Sequence, residues 1–384
     1  MTSEAHAQGI PTLAPIRADV AVIGATGRVG RRVLELIETR RAATGNAGVD
    51  LRVVAAASSR ACVIARDGLS VPRVVAQLQG AAAFARHVID DALLRLPPPL
   101  ILVDCTASAE VASRYPRWLG AGIDIVTPNK LGPSAERPVA RAIAAAQARS
   151  GAVLRDSTVV GAQLPLLPTL RELHEAGDRI ERFEAVLSGT LSYVLGRAQQ
   201  GEALSVAVRQ AIACGYAEPD PTRDLSGEDA ARKLVILLRA LGQDVELADI
   251  ERVPLVEPEW LAEGDPVKVI AGLAEIDELW RARTAIADAR RERWVYRASF
   301  EHGRARIAPE RVGVDHAFAR LAPCENALIL HSAYYSAAPL FISGPGAGID
   351  LTAAGVYADI LAVARRYAQT RQAAFASAAV EAAA

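Results

Sequence analysis

The sequence predicts an α/β protein in which a Rossmann-type nucleotide-binding domain is followed by an α+β domain. Over about the first 150 residues, short apolar runs alternate with helical patterns, which is typical of βαβ units around a parallel sheet. A glycine-rich turn, Gly24–Gly30, follows the first apolar run, and longer amphipathic helices dominate after about Gly161. The chain of 384 residues exceeds the length that one hydrophobic core usually serves, so two packed regions are expected.

The strands of the first domain are predicted where apolar residues stand together. They are Val20–Gly24, Leu51–Ala57, Leu100–Asp104 and Ile123–Val126. Helical periodicity predicts one helix at Gly30–Thr39 and another near Glu110–Leu119. Residues 1–17 have no signal-peptide core and are expected to form a loose extension.

The second domain is predicted to be rich in helices, with fewer strands. Its helices are Gln163–Ala176, Thr190–Gln200 and Leu204–Cys214, Arg182–Leu187 is a strand, and Arg293–Phe300 forms a hairpin with Arg304–Ala308 around His302-Gly303. Gly344–Asp350 opens a last helix, Leu351–Gln369, and the alanine-rich end from about Ala373 is expected to fray.

Composition excludes several classes of function. A formal net charge of -1 gives no electrostatic footprint for nucleic acid or an anionic membrane, and no apolar stretch is long enough to span a bilayer. Cys62, Cys105, Cys214 and Cys324 are scattered without a CxxC pair, which argues against disulfides and a zinc site. A cytoplasmic protein that acts on a small molecule is expected.

The glycine turn is the first candidate ligand site. Gly24-Ala25-Thr26-Gly27-Arg28-Val29-Gly30 links a strand to a helix, where backbone N–H groups can approach a pyrophosphate. Its spacing is GxxGxxG rather than GxGxxG, and a glycine turn without a ligand is the alternative. The second strand ends in Ser58-Ser59-Arg60 instead of an acid, which favours NADP over NAD, although Arg60 can equally be a solvated loop residue.

Polar residues follow two further strands, where open α/β sheets bind ligands. They are the runs Asp104-Cys105-Thr106-Ala107-Ser108 and Thr127-Pro128-Asn129-Lys130. Lys130 is a candidate for holding a substrate carboxylate or the cofactor. The alternative is that it is an ordinary solvated lysine.

The most informative stretch runs from Gly215 to Leu234. Its prolines, Pro219 and Pro221, predict an extended acidic loop, and a helix then begins at Ser226 and continues to about Leu241. Asp229 and Lys233 lie one turn apart, beside apolar neighbours and away from the wet face marked by Glu228, Arg232 and Arg239. A lysine among apolar neighbours suits proton transfer, and paired acids such as Glu218 and Asp224 suit a substrate ammonium group. The alternatives are a helix cap at Asp229 or a plain ion pair between Asp229 and Lys233.

At this point the sequence resembles the homoserine dehydrogenase family. The resemblance rests on Glu218-Pro219-Asp220-Pro221, Asp224-Leu225-Ser226-Gly227 and Asp229-Ala230-Ala231-Arg232-Lys233, with support from Asp104-Cys105-Thr106, Thr127–Lys130, Ser188–Tyr193, Glu325-Asn326-Ala327 and Gly344–Gly348. It covers about residues 18–370. It implies NAD(P)-dependent interconversion of L-homoserine and L-aspartate 4-semialdehyde, a step of threonine and methionine biosynthesis.

The resemblance implies a role for each matched residue. Lys233 would exchange the proton of the substrate oxygen, Asp229 would position the substrate, Glu218 and Asp224 would anchor its amino group, and Lys130 would bridge substrate and cofactor. Gly189, Thr190 and Tyr216 would form the pocket wall, and Gly215, Thr106 and Gly348 would contact the cofactor. A monovalent cation, Na⁺ or K⁺, would bind the carbonyls of Val160, Ala162 and Leu164, although Gln163 replaces a usual glycine and the acid of that site has no clear match.

The resemblance also implies how the chain is organised. The domains would be 18–157 for the nucleotide, 158–344 for catalysis and dimerisation, and 345–384 as a helix that returns to the first domain. The family is usually dimeric, and the segments near 158–167 and 293–344 would supply the interface. No kinase or regulatory domain is expected.

Two other functions remain open from the residues. An aspartate-semialdehyde dehydrogenase shares a glycine loop of this kind but needs a thiol nucleophile beside a histidine, and Cys105 is the nearest candidate. A dinucleotide-binding sensor without turnover would keep the fold. The set of two lysines and three acids argues against the sensor, which has no use for that chemistry.

Overall fold

The structure, a computed structural model, describes residues 15–41, 43, 48–80, 87–261 and 265–383. Two six-stranded sheets organise these residues. Within the described part of the chain, no helix is both long enough and apolar enough to cross a membrane.

The first sheet has the strand order β3-β2-β1-β4-β5-β6. Its strands are β1 Ile16–Ile23, β2 Val49–Ala57, β3 Cys62–Ile64, β4 Leu100–Asp104, β5 Asp124–Val126 and β6 Leu154–Arg155. All neighbours are parallel except β2 and β3. The chain leaves β1 towards β2 and returns on the other side at β4, so the carboxyl ends of β1 and β4 flank the switch point at which such sheets bind ligands.

The predicted strands of this sheet are confirmed, but β1 begins earlier. Ile16 is buried and pairs with Val49, which makes residues 16 and 17 part of the sheet. The prediction that the loose extension reaches residue 17 is therefore wrong, and residues 1–14 lie outside the described part. β3 was missed because three residues are too few to show a period.

Helices cover both faces of the first sheet. They are Arg28–Thr39, Val71–Gly80, His87–Leu94, Ala109–Ala112, Tyr115–Gly120 and Arg137–Ser150. The single helix predicted near Glu110–Leu119 is wrong, since it is two short helices. The Ser108 side chain caps the first, and Pro116 stands in the first turn of the second.

The second sheet has the order β12-β11-β7-β9-β10-β8. Its strands are β7 Ile180–Val186, β8 Glu251–Arg252, β9 Glu292–Glu301, β10 Arg304–Gly313, β11 Glu325–Ser332 and β12 Leu340–Pro345. The hairpin around His302-Gly303 is confirmed, and both residues have positive φ, 50° and 77°. The expectation of fewer strands in this domain is wrong, because β8, β11 and β12 gave no clear alternation.

The helices of the second domain pack on one face of that sheet. They are Leu166–Glu175, Gly189–Gln199, Leu204–Ala213, Thr222–Leu225, Glu228–Ala240, Pro258–Leu261, Pro266–Gly272 and Asp277–Ala289, with 3-10 turns at Leu247–Asp249 and Leu273–Ile276. A third 3-10 turn, Ala317–Arg320, packs on the opposite face. We call Glu228–Ala240 the lysine helix. Its Leu234, Val235 and Leu238 are fully buried in the largest hydrophobic core, which fixes the side that carries Asp229 and Lys233.

The last helix, Ile349–Ala383, packs on the first domain. Val356 and Ile360 share a hydrophobic cluster with Val20 of β1, and the Tyr367 hydroxyl donates to the Asp124 carboxylate at 2.5 Å. Its backbone stays helical to Ala383, so the predicted end at Gln369 and the fraying from Ala373 are wrong. Alanine has the highest helix propensity, which accounts for the extension.

Candidate active site

The glycine loop is fixed by close backbone contacts inside the protein. Gly24 has φ 78°, and a Cβ there would lie 2.8 Å from the Cys105 carbonyl oxygen. A Cβ on Gly30 would lie 2.2 Å from the Gly24 carbonyl oxygen. Both positions therefore require glycine.

The amides of this loop fall into two groups. Those of Ala25 and Gly27 are already bonded, to the carbonyls of Ala57 and Gly24, each at 2.9 Å. Residues 28–30 form the first helical turn, whose N–H groups have no partner within the helix. Thr26 lies just before this helical turn. The loop therefore places the positive end of the helix Arg28–Thr39 next to the carboxyl end of β1.

A cleft opens at the carboxyl ends of β1, β2 and β4. It is lined by Ile23, Ser58, Ser59, Thr106, Ser108, Glu110, Val111, Arg114 and Trp118. Two of the predicted cofactor residues, Ser59 and Thr106, lie there, and Arg60 is exposed next to Ser59. Sequence reasoning missed Val111 and Trp118, because an apolar residue on a helix gives no sign that it faces a cleft.

Two lysines from different domains meet on one carboxylate. Lys130, in the turn after β5, contacts Oδ1 of Asp229, and Nζ of Lys233 lies 2.9 Å from Oδ2. Lys233 also donates to the Leu187 carbonyl oxygen at 2.8 Å. Burial alone would raise the pKa of Asp229, but Lys233 and Lys130 hold that pKa well below its usual range. We call Lys130, Asp229 and Lys233 the lysine–carboxylate cluster.

Lysine is scarce in this chain, and sequence reasoning did not use this scarcity to link Lys130 with Lys233. Of the 43 lysine and arginine residues only Lys130, Lys233 and Lys268 are lysines, and two of these three meet at Asp229. Arginine serves as the cation almost everywhere else. A guanidinium stays protonated at any accessible pH, whereas an amine can give up a proton. Two of the three amines in the chain that could exchange a proton therefore meet at Asp229.

The lysine helix begins in a way that frees Asp229 for the cluster. The helix starts at Glu228, not Ser226, and its N-cap is Gly227 with φ 74° and no side-chain cap. A Cβ on Gly227 would lie 1.8 Å from the Tyr296 hydroxyl, so no larger residue fits. The alternative of Asp229 as a capping residue is wrong, because its carboxylate binds the two lysines.

The predicted wet face of this helix is only partly exposed. Arg232 pairs with Glu228 at 2.9 Å as expected. Arg239 is half-buried and donates to the carbonyls of Val245 and, across the domain boundary, Pro133 at 2.8 Å. Arg239 was wrongly predicted to be a solvated residue, and it helps to join the two domains.

The acidic loop, residues 215–225, lies beside the lysine–carboxylate cluster. Burial raises the pKa of Asp224 to about 6, and the nearby Asp229 adds to this while Lys233 and Lys130 oppose it. Glu218 is exposed and close enough to Asp224 to raise its pKa further. Within the described residues neither carboxylate forms an ion pair. The loop ends in a short helix, Thr222–Leu225, that the sequence did not predict, and the Asp220 carboxylate accepts from the backbone N–H of Thr222 at 3.0 Å.

The proposed pocket wall is tied to this loop. The Thr190 hydroxyl donates to the Tyr216 carbonyl oxygen at 2.6 Å, and the Tyr216 ring packs on Tyr193 with centroids 5.0 Å apart. A Cβ on Gly189 would lie 3.3 Å from the Cys324 carbonyl oxygen. Gly215 sits exposed at φ 73°, between the helix Leu204–Ala213 and Tyr216.

The segment predicted to bind a cation is an irregular turn before the helix Leu166–Glu175. Gly161 and Ala162 both have positive φ, 76° and 52°. The helix therefore begins at Leu166 and not at the predicted Gln163. Within the described part, the carbonyls of Val160 and Ala162 accept no hydrogen bond, whereas that of Leu164 accepts one from Leu166. Asp156, the buried acid at the start of this stretch, pairs with Arg171 at 2.6 Å.

The C-terminal glycine run returns the chain to this turn. Gly348 has φ 138° and precedes the last helix. A Cβ on Gly346 would lie 1.7 Å from Oδ1 of Asn326, and one on Gly355 would lie 2.4 Å from a Thr158 methyl carbon. The close packing brings the last helix against the predicted cation segment.

A buried network fixes the strand ends beneath the lysine–carboxylate cluster. Asp104 accepts from Tyr115 at 2.6 Å, from Asn129 at 3.0 Å and from the backbone N–H of Thr106 at 2.8 Å. Thr127 donates to the Asp104 carbonyl oxygen at 2.9 Å. Sequence reasoning noted the strand-end motifs but missed Tyr115, because no local pattern shows what a tyrosine on a helix contacts.

Cys105 does not fit the nucleophile that the rival reaction needs. Burial raises the pKa of the Cys105 thiol far above its ordinary value, and Asp104 adds to this effect. A thiol held protonated is a poor nucleophile. All four cysteines are free.

Family models of known proteins match both domains of this chain. A family model for the homoserine dehydrogenase NAD-binding domain matches residues 26–155, and the homoserine dehydrogenase model matches residues 165–361. A homoserine dehydrogenase from Schizosaccharomyces pombe is 34% identical over 359 residues, covering 90% of this chain and 95% of that protein. A bifunctional aspartokinase/homoserine dehydrogenase from Zea mays is 36% identical over 90% of this chain, which spans only 38% of that protein's length.

Solved structures share the fold. A Candida auris protein of unknown function is 30% identical with a TM-score of 0.83, covering 91% of this chain and 99% of that one. A mutant of a hyperthermophilic archaeal homoserine dehydrogenase, solved with NADPH, is 23% identical with a TM-score of 0.70, covering 90% of this chain and 97% of that one. At that identity the likeness shows the fold.

Proposed function

Because the chain belongs to the homoserine dehydrogenase family, we propose that it interconverts L-homoserine and L-aspartate 4-semialdehyde with a nicotinamide cofactor. One observation carries the proposal. Lys130 of the nucleotide-binding domain and Lys233 of the second domain converge on Asp229, beside the carboxyl ends of the strands where a dinucleotide binds.

The glycine loop fits the pyrophosphate of a dinucleotide. Its glycines leave no room for a Cβ, and the first-turn amides of residues 28–30 are available to phosphate oxygens. When bound, the nicotinamide supplies hydride transfer at its C4. Thr106, Gly215 and Gly348 would line its approach to the second domain.

Lys233 would exchange the proton of the substrate oxygen. Its amine makes two polar contacts, to Asp229 and to the Leu187 carbonyl, and a lysine amine has three bonding positions. The remaining position would face the hydroxyl of homoserine. In the oxidation direction Lys233 takes that proton while the hydride leaves, and in the reduction direction it returns the proton to the carbonyl oxygen.

The acidic loop would hold the amino group of the substrate. Glu218 and Asp224 have no ion pair within the described residues, so an ammonium group would supply their missing partner. Lys130 would face the carboxylate of the substrate or the cofactor. Gly189, Thr190 and Tyr216 would close the pocket.

We propose that NADP is preferred over NAD. The second strand ends in Ser58-Ser59-Arg60 with no acid, and the exposed Arg60 suits a 2′-phosphate. The archaeal relative was solved in complex with NADPH, the reduced form of the cofactor proposed for this chain.

We also propose a monovalent cation on the carbonyls of Val160, Ala162 and Leu164. Two of these carbonyls accept no hydrogen bond within the described part, which fits a cation. The acid of this stretch, Asp156, pairs with Arg171 and does not fit the site as it stands. Turnover that rises with KCl or NaCl, compared with choline chloride at equal ionic strength, would support the site, and equal rates in all three salts would refute it.

A homodimer formed through residues 158–167 and 293–344 completes the proposal. Tyr334 and Phe341 in this region are large apolar residues left 77% and 44% exposed. Light scattering is expected to show twice the chain mass, and F341E is expected to shift that mass towards the monomer. A monomeric mass for the unaltered protein would refute the dimer.

The direct test of the reaction is absorbance at 340 nm with L-homoserine and either NADP or NAD. Reduction of NADP that depends on homoserine is the expected result. Tight binding of NADPH without turnover would instead favour a dinucleotide-binding sensor. Reduction that requires phosphate and aspartate semialdehyde would favour the rival acyl-phosphate chemistry.

A further inference from the structure

Below the active site lies a fully buried polar cluster that the proposed reaction does not use. Its members are Asp104, Tyr115, Thr127 and Asn129, which are all at most 2% exposed. Every polar side-chain atom of these four residues has a hydrogen-bond partner. A satisfied network of this kind holds one arrangement of its members.

The Asp104 carboxylate is the centre of this cluster. One oxygen accepts from the backbone N–H of Thr106 at 2.8 Å, and the other accepts from Tyr115 at 2.6 Å and Asn129 at 3.0 Å. Asp104 therefore fixes the loops after β4 and after β5 together. Burial raises the pKa of the Tyr115 hydroxyl far above its ordinary value, and Asp104 adds to this, so the hydroxyl stays a donor.

Asn129 transmits this arrangement to Lys130. Its side chain donates to Asp104 and to the Ser108 carbonyl, and it accepts from the Leu131 backbone N–H at 3.1 Å. The Lys130 carbonyl is held by the hydroxyl of Ser134 at 2.8 Å. The backbone on both sides of Lys130 is therefore fixed before its amine reaches Asp229.

The Tyr115 ring also supports this turn from below. A Cβ on Gly132 would lie 2.4 Å from the ring, so the turn that carries Lys130 rests directly on it. Tyr115 thus contacts the same segment through its hydroxyl, by way of Asp104, and through its ring.

We propose that Tyr115 is a positioning residue for the reaction, which places Lys130 in the lysine–carboxylate cluster and Thr106 beside the cofactor through Asp104. It touches neither substrate nor cofactor. The inference rests on the proposed function, since it concerns the groups that perform that reaction.

The chain supplies a matched control at the opposite end of the same sheet. Tyr367 donates to the carboxylate of Asp124 at 2.5 Å, and Asp124 begins β5 at the amino ends of the strands. Y115F and Y367F each remove one hydroxyl that bonds a buried aspartate. Only Y115F acts beneath the active site.

The experiment compares melting temperature, kcat, KM for homoserine and the pH profile of kcat for the whole protein and both variants. Both variants are expected to melt a few degrees lower, by about the same amount. Y115F is expected to lower kcat by about tenfold to a hundredfold and to shift its pH profile, with KM for homoserine within about threefold, because small displacements of catalytic groups are costly. Y367F is expected to leave kcat and the profile unchanged.

Equal kcat in Y115F and the unaltered protein, or an equal loss in Y367F, would overturn the inference. If Y115F fails to fold, G132A tests the same turn with the hydroxyl in place, and normal kcat in G132A would overturn the inference. Absence of activity in the unaltered protein would instead refute the proposed function, so the two failures are distinguishable.

Discussion

The two halves of the candidate site differ in how fully their charges are matched. In the lysine–carboxylate cluster, Asp229 contacts Lys130 and Lys233, and the backbone near Lys130 is fixed by a buried network. In the acidic loop, Glu218 and Asp224 have no ion pair within the described residues, and the Asp224 pKa is raised to about 6. In the first half every charged group contacts an opposite charge, with one positive charge in excess, whereas in the second half two carboxylates have no cationic partner within the described residues.

Under the proposed function, this difference corresponds to a division of labour between proton transfer and substrate recognition. Groups that move a proton are preorganised, since their placement decides the rate. Groups that recognise the substrate are left with excess negative charge, which the ammonium of an amino acid would neutralise. Changes in the first half should therefore affect kcat, and changes in the second should affect KM.

The largest effect on this comparison is expected from D229N. Two lysines would then lose their shared anion and repel each other, and kcat is expected to fall by about two to three orders of magnitude. E228Q is the control, because Glu228 is next in the helix and pairs with Arg232 instead. Steady-state kinetics with homoserine measures both, and a small loss in D229N would show that the cluster is only structural.

A smaller effect, on KM alone, is expected from E218Q. Loss of one charge-assisted contact is expected to raise KM for homoserine by about tenfold while kcat stays within about twofold. D220N removes a charge from the same loop but keeps a side chain able to cap Thr222. An unchanged KM in E218Q, or an equal rise in D220N, would contradict the anchoring role.

The pH dependence follows from Asp224. In the proposed function its ionised form would bind the substrate ammonium, and with a pKa of about 6 it takes up a proton as the pH falls below that value. kcat/KM for homoserine is therefore expected to fall towards acid pH with a midpoint near 6. In D224N the decrease of kcat/KM towards acid pH is expected to disappear, and kcat/KM is expected to be lower at every pH. If the decrease towards acid pH persists in D224N, a group other than Asp224 causes it.

The smallest effect is expected from R60A. KM for NADP should rise by a few fold, and KM for NAD should not change, because only NADP carries the 2′-phosphate. R73A changes an exposed arginine in the helix Val71–Gly80 and serves as the control. Equal changes for both cofactors would remove the support for NADP preference.

Local pattern predicted much of the fold but little of what joins its parts. β4 lies where its apolar run placed it, and Asp229 and Lys233 share a helix face as their spacing required. The contact of Lys130 with Asp229 joins residues 99 positions apart, and no local period can show it. The bond between Tyr115 and Asp104 was hidden for the same reason. The scarcity of lysine was the one sequence signal that could have linked Lys130 with Lys233.

The central claim is that Lys233 exchanges a proton with the substrate, and K233R tests it most directly. Arginine keeps the positive charge but does not release a proton. Homoserine oxidation is expected to slow by at least about a hundredfold with NADPH affinity within about threefold of the unaltered protein, and K268R is expected to behave normally. Near-normal turnover in K233R would contradict the account.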